Sequence, residues 1–317
     1  MAKFFIDKKR LPNSAKYDEE PQQGFFDKIK KFHVLVIIAL LLVVIIVGSI
    51  FYFNYSNNSL NKFVDASCKN FDSGSFAYHI TAYLNDQECL DYDGAMEFDL
   101  DNQMFESVYH AKYQDYEYDA ASYAYKADSY AGTFYGGKWN IENYADNSLD
   151  FFAFYRNYRE HEFDSGAFLR FTDTNDVFSA VELEKAVDSI TSELTKSSSL
   201  SNVLHEEVET LDDGSTVYTF KPDVKELFTI ISDNIGPAYT SAKEYSQFKE
   251  TVENSSKNMD NATAVLSYTI DNRGYLTSIA FDYTVNNDNY LLTVSMSDFS
   301  QKDVEIPESM LSLVDTE

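Results

Sequence analysis

The chain has 317 residues, of which 44% are hydrophobic and 16% aromatic, and this excludes disorder over most of its length because disordered chains are poor in aromatic side chains. Asp and Glu outnumber Lys and Arg by 52 to 25, which gives a net charge of −27. Residues 1–33 carry 8 basic and 5 acidic side chains, so the rest of the chain carries −30. Such a surface repels phosphate backbones, which excludes nucleic acid as a partner.

An uncharged run of 20 residues, 34–53, predicts a transmembrane helix, since at helical rise it covers roughly 30 Å, the thickness of the bilayer hydrocarbon. Lysines precede this run, and no basic residue follows it before Lys62. The asymmetry places residues 1–33 in the cytoplasm as a tail and residues 54–317 outside the cell. A cleaved signal peptide is the alternative. The long leader and the lack of a small-residue cleavage site favour a retained plasma-membrane anchor.

The extracytoplasmic segment contains no repeat and no linker rich in Gly, Ser or Pro, so we predict a single domain over residues 54–317. A short amphipathic helix is expected directly after the anchor, because apolar residues recur there with helical spacing. The residues that share this helical face are Leu60, Phe63, Val64, Ser67 and Phe71.

Strands are predicted next, because apolar and polar residues begin to alternate. The alternation covers residues 76–84 and 96–101, and residues 104–135 continue it with many tyrosines. A strand with one buried face and one solvent-exposed face is typical of an antiparallel sheet.

The middle of the chain is predicted to be mainly helical. Residues 147–159 are expected to form a short aromatic helix, and a longer helix begins at Ser179. A further helical region over residues 222–257 is broken at residues 236–237, which are Gly and Pro. The apolar stripe of the long helix comprises Ala180, Leu183, Val187, Ile190 and Leu194.

Two more groups of strands are predicted from alternation and turn residues. A hairpin over residues 204–220 turns at residues 212–214, and a meander of three strands over residues 263–297 has its first turn at residues 271–274. Strands and helices are therefore segregated along the chain, which predicts an α+β fold. We expect a curved antiparallel sheet, a half-barrel, with helices packed on its concave face.

The segment AVLSYTIDNRGYLTSIAFDYTV, residues 264–285, is followed by a strand and then by VEIPE, residues 304–308. This arrangement resembles the end of LolA-like lipoproteins, the envelope proteins of the lipoprotein-carrier and LppX type. The resemblance extends over residues 58–308 by element order and implies a membrane-anchored Gram-positive relative. It implies a half-barrel sheet that wraps helices and can enclose an apolar cavity. The chain departs from the family by carrying a predicted transmembrane anchor in place of a lipidated cysteine.

Few residues suggest chemistry. Cys68 and Cys89 are the two cysteines, and an even number in an exported domain favours a disulfide; two reduced thiols are the alternative. His-Glu pairs at residues 161–162 and 205–206 lack the second histidine of a zinc HExxH motif, and no P-loop, GxSxG or CxxC motif occurs. We therefore predict no catalytic residue, no metal site and no cofactor.

A tyrosine-rich stretch has two interpretations. In the first, tyrosine suits a half-exposed sheet because its ring packs against the core while its hydroxyl remains hydrated. In the second, an aromatic face near Asp and Asn stacks on cell-wall sugars. The structural interpretation is favoured. The residues concerned are Tyr109, Tyr113, Tyr116, Tyr118, Tyr123, Tyr125, Tyr130, Tyr135 and Trp139.

The leading functional hypothesis is a non-enzymatic, membrane-tethered binding domain of the cell envelope, for a hydrophobic ligand such as a lipid or for an envelope protein. A cell-wall carbohydrate or adhesion module is the first alternative, and an envelope hydrolase is the second. If the sheet and helices enclose a ligand cavity, the candidates to line it are Leu183, Val187, Ile279, Phe281 and Leu292.

Overall fold

The computed structural model describes residues 59–113, 116–125, 130–135, 138–142, 155–157, 159–160, 164–171, 177–196, 205–256, 261–285 and 287–300. The predicted tail and transmembrane segment, residues 1–33 and 34–53, lie outside these ranges, as does most of the predicted helix over residues 147–159. Within the described ranges, no helix has the length and hydropathy needed to cross a bilayer.

Eleven strands form one antiparallel sheet in the described part of the chain. The alternation that predicted strands in the sequence is confirmed, including the final meander. The strands are β1 Ser75–Leu84, β2 Gln87–Asp99, β3 Met104–Tyr113, β4 Tyr116–Tyr125, β5 Tyr130–Tyr135, β6 Lys138–Glu142, β7 Glu206–Thr210, β8 Thr216–Phe220, β9 Thr263–Ile270, β10 Leu276–Val285 and β11 Asp288–Ser300.

The strand order is β6-β5-β4-β3-β2-β1-β11-β10-β9-β8-β7. The first strand therefore pairs with the last, and this one long-range pairing joins an N-terminal meander to a C-terminal one. The sheet is curved and does not close, with β6 and β7 as its edges. The predicted α+β class is confirmed at this level.

The predicted helix after the anchor, the helix that follows Ser179 and the two helices around Gly236 are confirmed, whereas Ser165–Phe171 is a further helix that the sequence did not predict. The helices are α1 Ser59–Asp72, α2 Ser165–Phe171, α3 Ala180–Lys196, α4 Val224–Ile235 and α5 Ala242–Ser256. Gly236–Ala238 forms a 3-10 turn, so the predicted break between α4 and α5 is confirmed. Asp223 caps α4 by accepting a hydrogen bond from the backbone N–H of Glu226 at 2.9 Å.

The described helices pack in two different ways. Helix α1 lies on the sheet, where Val64 is fully buried and Cys68 is 7% exposed among strand residues. Helices α2, α3 and α4 instead bury their apolar faces mainly against one another. This helical core comprises Phe168, Leu169, Phe178, Leu183, Ala186, Val187, Ile235 and Ala238.

A buried asparagine on α1 attaches the helix to the sheet. Asn70 is 2% exposed, and its side-chain amide donates to the backbone oxygen of Leu276 at 2.7 Å. The backbone N–H of Leu276 donates back to the Asn70 carbonyl oxygen at 3.1 Å. The amide thus pairs both backbone groups of Leu276, just where the register between β9 and β10 shifts before Ser278. An apolar side chain at this position would leave two buried polar groups without partners.

We expect Asn70→Ala to lower the free energy of unfolding by about 3 kcal/mol, because both backbone groups of Leu276 lose their partner in a buried site. For a domain of this size that corresponds to a fall in Tm of roughly 6–10 °C. The measurement is thermal unfolding of the detergent-purified chain followed by circular dichroism. Asn234→Ala is the control, since that side chain donates a hydrogen bond within its own helix, to the backbone oxygen of Ile230 at 2.8 Å. Equal shifts for the two variants would contradict the assigned role of Asn70.

Candidate ligand-binding face

One face of the sheet carries most of its large apolar side chains. Cross-strand pairing places Ile80, Val294, Ile279 and Tyr268 in one row across β1, β11, β10 and β9. Because side chains alternate along a strand, residues two positions away lie on the same side. We call this the apolar face. The opposite face carries residues such as Thr81 and Thr293, Asp282 and Ser278.

Helix α1 covers one part of the apolar face. Tyr268 and Leu276 are each 2% exposed beneath it, and Ile279 and Met296 pack beside them. The Tyr268 hydroxyl donates to the backbone oxygen of Ser59, and its ring stacks on Tyr218 with centroids 4.8 Å apart. Burial raises the pKa of Tyr268 above its usual range. This part of the face is therefore a packed core.

The same face continues beyond α1 with exposed and half-buried side chains. Leu84 is 39% exposed and Leu292 is 36% exposed, while Phe281, Tyr283 and Tyr290 are half-buried. Phe281 pairs with Leu292, and Tyr290 pairs with both Tyr283 and Leu84. We call these five residues the open patch.

The aromatic rings of the open patch are ordered relative to one another. Phe281 and Tyr283 stack with centroids 6.1 Å apart and planes 9° apart, and Tyr283 lies 6.3 Å from Tyr290. Desolvation raises the pKa of both tyrosines, so they stay neutral across physiological pH. The patch is therefore an uncharged, largely apolar surface in an otherwise acidic chain.

Polar contacts fix the two hairpin ends that border the open patch. The backbone N–H of Asn85 donates to the Asn289 oxygen at 2.8 Å, and the Asn289 N–H donates to Asn85 Oδ1 at the same distance. Asn85 Nδ2 reaches Asp288, and Asn289 Nδ2 reaches Asp282. Asn85 has a φ of 51°, which asparagine tolerates better than most residues. No local pattern in the sequence marks Asn85 and Asn289 as partners, because they lie 204 positions apart.

The five predicted cavity residues separate into two groups. Ile279, Phe281 and Leu292 lie together on the apolar face. Leu183 and Val187 are 3% and 6% exposed in the core formed by α2, α3 and α4. The structure therefore supports the strand residues as one surface, whereas the helix residues serve packing between helices.

The two cysteines are free thiols. Cys68 is buried on α1, near the point where the chain enters β1. Cys89 lies on β2 opposite the far end of β1. Its thiol donates a hydrogen bond to the backbone oxygen of Ala82 at 3.3 Å. A disulfide requires Cα atoms within about 7 Å. Because almost the whole length of β1 separates the two sites, the structure does not support the predicted bridge.

The polar face of the sheet carries a histidine beside two carboxylates. His79 Nδ1 lies 3.6 Å from Asp91 and 3.7 Å from Asp93 on the polar face. No three His, Cys, Asp or Glu side chains in the described ranges converge to hold a metal ion. In the tyrosine-rich stretch, Tyr109 packs against Tyr92 with ring centroids 5.9 Å apart. The side chains of Tyr113, Tyr116, Tyr118, Tyr123, Tyr125, Tyr130, Tyr135 and Trp139 lie outside the part that the structure describes.

Thiol titration distinguishes the two cysteines. Burial and the neighbouring carboxylate of Asp72 raise the pKa of Cys68 to about 12, and burial also raises the pKa of Cys89. We expect both thiols to react with a disulfide reagent in concentrated guanidinium without reductant, and only Cys89 to react in the native protein. The Cys89→Ser variant should show one thiol when denatured and none when native. A denatured wild-type chain with no reactive thiol would establish a disulfide instead.

Comparison with known proteins adds no family assignment: no protein-family model matches the chain, and no curated protein is significantly similar to it.

Proposed function

We propose that this chain is a membrane-tethered binding domain of the cell envelope, and that the open patch holds a hydrophobic ligand such as a lipid acyl chain. The observation that carries the proposal is the row of apolar side chains that continues past α1 on the apolar face. Phe281 and Leu292 lie at its centre, and Leu292 is 36% exposed. A sheet face this apolar is normally covered in a soluble domain.

The energetics fit a weak to moderate binding site. Covering about 300 Å² of apolar surface contributes about 7 kcal/mol before the costs of association. Those costs offset several kcal/mol of the gain, so the patch alone supports reversible binding. The patch needs little reorganisation, since paired strands and the contacts of Asn85 and Asn289 already hold it in place.

The predicted anchor supports a ligand drawn from the membrane. Helix α1 begins at Ser59, six residues after the predicted span over residues 34–53. Six residues reach at most roughly 20 Å, which keeps the sheet close to the outer leaflet. The net charge of −30 outside the cell repels anionic headgroups, so the domain stands off the bilayer surface instead of lying flat on it. Its apolar face then stays open to a ligand.

The resemblance to LolA-like lipoproteins agrees with this proposal. In that superfamily a half-barrel sheet carries helices on its concave side and can enclose an apolar cavity. In this chain α1 would be the helix on the concave side, and the open patch would be the part of the face that remains for a ligand.

Ligand binding is tested with a fluorescent long-chain fatty acid added to the full chain in detergent-free nanodiscs. We expect Leu292→Asp to weaken binding by about tenfold or more, because a carboxylate in the patch must be desolvated when the ligand covers it. Val181→Asp is the matched control, since Val181 is 60% exposed on α3, outside the sheet. Phe281→Ala should also weaken binding. If the Leu292 and Val181 variants bind equally well, the open patch is not the site.

The proposed topology is tested by digestion of intact cells with an external protease. An epitope tag placed after Glu317 should be removed, whereas a tag placed before Met1 should be protected in the cytoplasm. Detergent-permeabilised cells, in which both tags should be lost, are the control. Survival of the C-terminal tag on intact cells would exclude an extracytoplasmic domain.

A further inference from the structure

The edge strand β7 offers a second surface, separate from the open patch. Strand β7, Glu206–Thr210, lies at the edge of the sheet and, among the described strands, pairs only with β8. All five of its residues are exposed, and Val208 at its centre is 56% exposed. An open groove of about 560 Å³ lies beside it, lined by His205, Glu206, Glu207 and Val208. An uncovered edge strand is a template for another strand.

The hairpin geometry determines which backbone groups of β7 face outward. The N–H of Leu211 donates to the Ser215 oxygen at 2.8 Å, so these two residues form a hydrogen-bonded pair. Hydrogen-bonded and non-hydrogen-bonded pairs alternate along an antiparallel ladder. Glu209 and Glu207 therefore bond to β8. The N–H and C=O groups of the intervening residues point to the free edge; these are Glu206, Val208 and Thr210.

The side chains on this edge give it a charge preference. Three of the five residues of β7 are glutamates: Glu206, Glu207 and Glu209. In the described part of the chain, Lys221 forms an ion pair with Glu207, with 2.7 Å between Nζ and the carboxylate oxygen. Glu207 and Glu209 flank Val208 and lie on the same face of β7, and both are exposed. Facing positions of opposite charge stabilise a strand pair, whereas like charges destabilise it.

We propose that β7 binds an extended segment of a partner protein that carries Lys or Arg at alternate positions, by adding it to the sheet as a twelfth strand. Three backbone residues supply hydrogen bonds, and the glutamates supply selectivity for basic side chains. A second copy of the chain is disfavoured, because its own β7 presents the same three glutamates. The C-terminal segment 301–317 is disfavoured for the same reason, since it holds five acidic residues and one lysine. The large negative charge outside the membrane also attracts a basic partner at long range.

The test uses the full chain in detergent and a synthetic seven-residue peptide of alternating Lys and Val. We expect Val208→Pro to weaken binding by about tenfold or more, because proline removes the central outward N–H while leaving the bonds to β8 intact. Val208→Thr keeps that N–H and should bind like the wild type. The proline variant carries no change in charge, so unspecific attraction between the basic peptide and the acidic surface would be equal in all three proteins.

Amide hydrogen exchange provides a second measurement that needs no variant. The peptide should slow exchange at Glu206, Val208 and Thr210 by about tenfold or more, and should leave the amides of Glu207 and Glu209, which already bond to β8, nearly unchanged. Equal binding by the proline and threonine variants, or no slowing at the outward amides, would overturn the proposal. Neither result bears on the fatty-acid assay, which probes a different surface.

Discussion

The fold depends on the contact between Asn70 of α1 and the backbone of Leu276. At the start of β10 the register against β9 shifts, and the buried peptide groups of Leu276 need partners outside the ladder. The asparagine side-chain amide carries an acceptor oxygen and an NH2 donor group, so one side chain can pair both the N–H and the C=O of Leu276. These hydrogen bonds fix the position of the helix along the sheet and its rotation about its own axis. Apolar packing alone constrains both less strictly, because it is not directional.

The position of α1 decides which part of the sheet is core and which part is surface. Under the helix, the apolar face is closed by aromatic rings around Tyr268, with Tyr218 stacked on it and Phe63 packed edge-on against it. Beyond it, the same alternation of apolar residues continues on β10 and β11 without a helix in the described part of the chain to cover it. Among the residues that the structure describes, helices α2, α3 and α4 use their apolar faces mainly to bury one another. The open patch, which is the proposed binding surface, thus lies where the sheet extends past α1.

Charge and backbone pairing make the two proposed surfaces different in kind. The open patch is uncharged and aromatic, so it selects for apolar area and little else. The edge at β7 is acidic and rich in unpaired backbone groups, so it selects for extended conformation and basic side chains. Both surfaces belong to one continuous sheet, in which the long-range pairing of β1 with β11 joins the two meanders. The glutamates also prevent two copies of the edge from pairing, which an exposed strand otherwise risks.

Local patterns in the sequence determined the elements, because alternation, helical spacing and turn residues are properties of neighbouring positions. The meander, the turns at residues 212–214 and 271–274, the helix break at Gly236, and the α+β class followed from them. Three of the five cavity candidates also shared one face, since alternation on β10 and β11 already encoded it. Only the tertiary structure decided that β1 pairs with β11, that Leu183 and Val187 face other helices, and that Cys68 and Cys89 are free thiols. Those outcomes depend on contacts between residues distant in the chain, for which single-sequence periodicity carries no signal.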